Sequence, residues 1–315
     1  MDSNQTSSFW KVPAHITGLF QIVKHKDMLQ MGSKGAGFSI NNYIITKIQY
    51  SQESIPSKNE VFYNNKKING IVTKTVVKEF EEHLNKKSLT INHYSLLPIE
   101  GGFGTSGAGA LGTAFALAEL LQTNYSRDEL GQIAHKAEVK CQTGLGDVIA
   151  QLYGKPEIRI NPGAPTIGKI KPLIWPEEQL VLSIFLGTSS TKDIITSEKM
   201  YKNINRAASK LLPVLEKDPT VGTFLNVSFL FAKEAKLMPR NVAKMIKKLR
   251  AWGYSASMVM LGKAVFVVGT EGELINCQEQ INKHFTIKQS WINPVAREGP
   301  SIASPEIISE IKSYR

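Results

Sequence analysis

Residues 101–110 read Gly-Gly-Phe-Gly-Thr-Ser-Gly-Ala-Gly-Ala. An apolar, strand-like run ends just before them at Ser95-Leu96-Leu97-Pro98, and an Ala-rich apolar segment, Leu111 to Leu121, follows at helical length. A glycine-rich loop that enters a helix presents unpaired backbone N–H groups at the positive end of the helix dipole. The run therefore demands a strand–loop–helix unit and offers a phosphate cradle. A Gly/Ala-rich helix lying close on a sheet, with no ligand, is the structural alternative.

Three phosphate motifs can be tested against this run. Gly102-x-Gly104-x-x-Gly107 matches the dinucleotide fingerprint, and Asp128 stands at a tolerable distance for the ribose acid. That fingerprint belongs to a strand–helix–strand unit, but the segment after the Ala-rich helix reads as a second helix. Gly163 to Lys169 approaches a P-loop. However, Ile170 stands where Ser or Thr must hold magnesium, and prolines rather than a helix follow. The third motif is carried by Pro98, Gly101, Gly102, Gly104, Thr105, Ser106, Gly107 and Ala108 together.

A chain of 315 residues is long enough for two domains. Its ordinary apolar content argues against disorder, and no apolar run reaches membrane-spanning length. Met1 to Trp10 is polar and lacks the apolar core of a signal peptide, so a cytoplasmic location and no membrane partner are expected. Cys141 and Cys277 form neither a disulfide framework nor a zinc spacing, and both read as inert buried thiols. The net charge of +11 suits either nucleic acid or a small polyanion such as a nucleotide. Lys244, Lys247, Lys248 and Arg250 alternate with Val242, Met245, Ile246, Leu249 and Trp252 at helical spacing. That is the pattern of a solvated helix face, and no nucleic-acid partner is expected.

The patterning divides the chain into residues 1–172 and 173–315. Strands are expected at Lys11–Phe20, Gly37–Tyr50, Glu60–Tyr63 and Leu89–Leu97, with a helix at Val72–Asn85. Helices follow at Gly107–Leu121 and Arg127–Cys141, the second opened by a Ser126/Glu129 capping box. Pro162 to Pro176 reads as a loop, and Gly32 to Gly37 as a turn. The second part expects strands at Gln179–Leu186, Ser255–Leu261, Ala264–Gly269 and Thr286–Ile292. Its helices are expected at Ser197–Leu215, Val221–Lys236, Pro239–Trp252 and Glu271–Phe285. The class is α+β.

The third motif resembles the P-x-x-x-G-L-G-S-S-A-A loop of the GHMP kinase superfamily. The resemblance implies a loop wrapped on the phosphates of ATP, with Ser106 at the second-serine position and Thr105 at the first. In that superfamily a helix glutamate ligates Mg2+, and an aspartate in a downstream G-x-x-D loop orients or deprotonates the acceptor hydroxyl. Glu138 and Asp147, the latter in Thr143-Gly144-Leu145-Gly146-Asp147-Val148, fill those places. Read without the resemblance, Glu138 is a solvated helix residue and Asp147 a turn former. Pro13-Ala14-His15-Ile16 resembles the N-terminal superfamily motif, with His15 at its basic position. The resemblance also implies the two-domain GHMP kinase fold: an N-terminal half like domain 2 of ribosomal protein S5 and a ferredoxin-like C-terminal half.

Several departures from the general pattern resemble one archaeal branch, the pantoate kinases. They are Pro-Ala-His-Ile-Thr-Gly at 13–18, the 32–37 run, Gly-Phe-Gly-Thr-Ser at 102–106, and Ser257-Met258-x-Met260-Leu261-Gly262. This branch implies phosphorylation of the terminal hydroxyl of (R)-pantoate in coenzyme A synthesis. A carboxylate substrate needs a basic anchor, and Arg159 is the candidate because a guanidinium fork suits a carboxylate. His15, Ser33 and Lys34 are further candidates for the same pocket. Homoserine or shikimate phosphorylation is the alternative within the superfamily. A non-catalytic RNA-binding S5-like protein is the alternative outside it. A homodimer is the default for a cytosolic enzyme of this size.

Overall fold

The computed structural model describes residues 6–51, 59–188 and 197–313. The polar residues 1–5 at the N-terminus lie outside the described residues. β1 (Trp10–Val23) and β2 (Gly32–Tyr50) form one long antiparallel ribbon, in register from Trp10↔Thr46 to Val23↔Gly32. This corrects the turn expected at Gly32 to Gly37: those residues are paired strand, and the reversal lies before them. Their smallness makes room for neighbours. A Cβ on Gly37 would stand 2.6 Å from His15 Nε2, and one on Gly35 would stand 2.8 Å from Arg159 Nη2.

The chain continues through β3 (Glu60–Tyr63), β4 (Lys66–Ile68), α1 (Ile71–Lys78), β5 (Leu89–Tyr94), α2 (Thr105–Leu120), α3 (Arg127–Cys141), α4 (Asp147–Tyr153), β6 (Glu157–Asn161) and β7 (Lys169–Pro172). The first sheet runs β1-β2-β5-β3-β4, with β6 pairing β2 and β7. α2 is buried on nearly all sides because it lies on β1 and β2 and is flanked by α1 and α3. Gly112 permits this approach, since a Cβ there would come within 2.4 Å of Thr46 Oγ1.

The helix expected at Val72–Asn85 stops at Lys78. Phe80 and Leu84 are buried beside a short 3-10 turn, and Asn85 and Lys86 adopt left-handed backbone that ends any helix. α3 has the expected bounds and the Ser126/Glu129 capping box. Neither α4 nor β7 was anticipated, because prolines and glycines flank both.

The second sheet, β11-β8-β10-β9, is antiparallel throughout and comprises β8 (Leu180–Gly187), β9 (Ala256–Val259), β10 (Lys263–Gly269) and β11 (Gln289–Pro294). Its helices are α5 (Glu198–Lys217), α6 (Val221–Glu234), α7 (Arg240–Ala251) and α8 (Glu271–His284). α7 buries Val242, Met245, Ile246 and Leu249 and exposes Lys244, Lys247 and Lys248, the solvated face expected.

α5 and α6 pack on each other and on β1, so the two sheets share one core. Phe38 of the first sheet meets Phe266 of the second with ring centroids 5.4 Å apart, and Phe224 and Trp175 close the cluster. The chain then returns to the first sheet. β12 (Ser301–Ile302) pairs with β1, and α9 (Pro305–Ser313) packs Ile311 with Ile45. The architecture is α+β in two sheets, as expected. No helix among the described residues is long and apolar enough to cross a membrane.

Candidate active site

The glycine-rich run enters α2 through Gly104, whose left-handed φ of 64° turns the chain sharply into the helix. No side chain caps this end and no acid stands in the first turn. The first intrahelical bond is Ala108 N–H to Gly104 O, so the N–H groups of Thr105, Ser106 and Gly107 are left for an anion. The loop is held from two sides. His15 N–H donates to Phe103 O at 3.0 Å, and Gln151 Nε2 donates to Gly104 O and Pro13 O. Gly262, in the β9–β10 turn, sits directly on it: a Cβ there would stand 2.2 Å from Gly101 O. The Met260-Leu261-Gly262 motif is thus the second sheet's contact with the loop.

The loop lines one wall of a cavity of about 650 Å³. Thr17, Ser33, Asp147 and Arg159 line it, with Met260 and Leu261. Tyr63, Ile68, Thr73 and His93 line it as well. Lys34 is not among the lining residues; it follows Ser33 on a strand, where successive side chains face opposite ways. The near-P-loop at Gly163 to Lys169 does not line the cavity either.

Asp147 opens α4, which carries its carboxylate to the cavity wall. Asp147 Oδ1 accepts from His15 Nδ1 at 3.2 Å and from Thr17 Oγ1 at 3.4 Å. His15 Nε2 donates to Glu157 Oε1 at 3.1 Å. Arg159 Nη1 donates to that same Glu157 oxygen. Ionised carboxylates only accept, so both nitrogens of His15 donate and the ring is an imidazolium. Burial works against that charge, but the Glu157 charge and the bonds to Asp147 and Glu157 outweigh it and raise the His15 pKa. Burial likewise opposes ionisation of Asp147. The His15 hydrogen bond and charge, then Arg159 and Thr17, reverse this and hold its carboxyl below the usual range.

Glu138 lies near the C-terminus of α3 and is almost fully buried. Its Oε1 accepts from Thr143 Oγ1 at 2.7 Å, while Oε2 is buried with no hydrogen-bond partner. Burial pushes its carboxyl up to about 7; the Thr143 bond opposes this, the Asp147 charge adds to it, and the neighbouring Ser106 hydroxyl opposes it. A buried, orphaned carboxylate oxygen beside a hydroxyl is what a hard cation would satisfy. Among the described residues no three His, Cys, Asp or Glu side chains group to hold a metal alone. Ser106 and Glu138 together suit an ion that draws its remaining ligands from phosphates and water, as magnesium does. These residues fit that ion.

Sequence reasoning missed Glu157, Gln151, Thr17 and His93. Glu157 and Arg159 stand two apart on one strand, and two charges on one face were the available signal. Cys277 is buried, with its thiol pushed up to about 12 by burial, whereas Cys141 is half-buried and lines the cavity. The inert, buried reading therefore holds for Cys277 and is corrected for Cys141.

Residues 71–155 match the family model for the GHMP kinases N terminal domain. The chain is 35% identical over 262 residues to a pantoate kinase of Methanocaldococcus jannaschii, covering 83% of this chain and 93% of that protein. The chain belongs to the pantoate kinase family. A pantoate kinase of Thermococcus kodakarensis is 32% identical, with 83% of this chain and 87% of that protein covered. A solved structure described as a phosphotransferase related to the CoA biosynthesis pathway superposes with a TM-score of 0.82 at 29% identity, covering 95% of this chain and 98% of the other. The fold is accordingly that of the GHMP kinases, and the chain is a small-molecule kinase. For such a kinase, an uncapped helix start and the Asp147 carboxylate line one cavity, and Glu138 is buried behind its Thr143 wall.

Proposed function

We infer that this chain transfers the γ-phosphoryl group of ATP to the terminal hydroxyl of (R)-pantoate, giving 4-phosphopantoate for coenzyme A synthesis. The observation that carries the reading is the shared cavity lining, in which Ser33 and Arg159 crowd Gly146, the residue before Asp147. One group can meet a hydroxyl while the others hold a carboxylate. Arg159 is buried but lines the cavity, and its Nε has no partner within the protein. Its guanidinium fork is suited to a substrate carboxylate.

The N–H groups of Thr105, Ser106 and Gly107 bind the phosphates, and Gln151 keeps the loop in place. Ser106 and Glu138 would hold Mg2+, which supplies charge neutralisation on the phosphates. Asp147 is too well stabilised as a carboxylate to be a strong base. It orients the hydroxyl and takes its proton late, as a loose phosphoryl-transfer transition state permits. Positioning supplies most of the acceleration.

A panel of hydroxy acids with ATP tests the reading. Pantoate is expected to be turned over with the highest kcat/KM, ahead of homoserine, shikimate and mevalonate. Brisk turnover of another member with none of pantoate would overturn it.

A further inference from the structure

We propose that Glu157 is the positioning residue of this site, holding its two ends in register through His15 on one side and Arg159 on the other. One oxygen, Oε1, accepts from both cations, and Oε2 has no partner. Glu157 is fully buried and absent from the cavity wall, so it acts only through its neighbours. Its register partner on β2 is Gly37, and the missing side chain there leaves the space that His15 fills. The spacing of Glu157 and Arg159 puts both on one face of β6.

A buried carboxylate is tolerated only where cations and hydrogen bonds offset its desolvation, and any cations would serve for that. Glu157 instead takes the two cations that govern opposite ends of the acceptor. His15 aims the Asp147 carboxylate, and Arg159 contributes its guanidinium to the cavity lining. The distance between hydroxyl and carboxylate recognition is therefore set by a single carboxylate behind the wall. The proposal rests on the reading that Asp147 meets the hydroxyl and Arg159 the carboxylate.

The experiment is a pair of double-mutant cycles in the full chain. Glu157→Gln and Glu157→Asp are made alone and with His15→Asn or Arg159→Lys, and kcat and both KM values are measured. Glu157→Gln is expected to raise the pantoate KM and lower kcat by about tenfold or more each, with the ATP KM changed by less than about twofold. The kcat effect should vanish in the His15→Asn background, and the KM effect in the Arg159→Lys background. Glu157→Asp, which keeps the charge, should show the same split at smaller size.

Losses falling equally on ATP and pantoate, or adding fully in both backgrounds, would make Glu157 a stability residue and overturn the proposal. So would failure of both variants to fold. If the parent chain phosphorylates a different hydroxy acid, the substrate reading fails separately and the coupling is read with that acid.

Discussion

His15 Nδ1 donates to Asp147 Oδ1 at 3.2 Å, joining a strand residue to a helix start 132 positions away. The imidazole has no exposed side-chain surface. The superfamily's basic position is thus occupied by a group that grips the Asp147 carboxylate and cannot reach solvent. This corrects the expectation that His15 is a direct substrate ligand: it is not among the residues lining the cavity, and both its nitrogens are engaged by carboxylates.

Asp147→Asn should lower kcat about 10³-fold or more, because the side chain can neither accept the proton nor balance the imidazolium. Nucleotide affinity, measured by calorimetry with a non-hydrolysable analogue, should stay within about threefold, since the phosphate loop is built on other residues. An unchanged kcat would remove Asp147 from the mechanism.

Gly144→Ala would place a Cβ 2.1 Å from Glu138 Oε2. The glutamate must swing away, so the Mg2+ concentration for half-maximal rate should rise at least about tenfold. Stability should drop by about 1–3 kcal/mol in denaturant titrations, the usual range for overpacking.

Gly262→Ala would press a Cβ against Gly101 O and push the β9–β10 turn off the phosphate loop. The ATP KM should rise by about tenfold, with the pantoate KM less affected. The reverse order would show that the turn serves the acceptor instead.

Two histidines set opposite pH slopes for stability. His93 is buried, bridges Thr46 and Thr73, and has its pKa pushed down by burial from 6.5 to about 4. Its contribution is fully present above pH 6.5 and is lost as pH falls to about 4, an effect on the order of 3 kcal/mol. His15 is shifted the other way: its contribution is full below pH 6.5 and is lost as pH rises through its higher folded value. Urea midpoints measured across pH should show both slopes. His93→Gln should flatten only the acid one, and His15→Asn only the alkaline one.

The local features were legible because short-range chemistry dictates them. The glycine run had to make a loop into a helix, Ser126 with Glu129 had to cap α3, and period-3.6 apolar residues had to bury one face of α7. Gly144 and Gly146 marked a backbone in close quarters, without showing that Glu138 and Arg159 were what crowded it.

By itself, the sequence determined which residue types were available for phosphate, magnesium and proton chemistry, and that an α+β fold would carry them. The tertiary structure alone decided how they are wired. Only the β1–β2–β6 register brings His15 and Arg159 onto the one buried carboxylate of Glu157, and only packing of the second sheet on the first seats Gly262 on the glycine-rich loop. The His15–Glu157 and Gly262–Gly101 contacts join residues more than a hundred positions apart. They depend on strand pairing and on the volume left by absent side chains, neither of which a local pattern records.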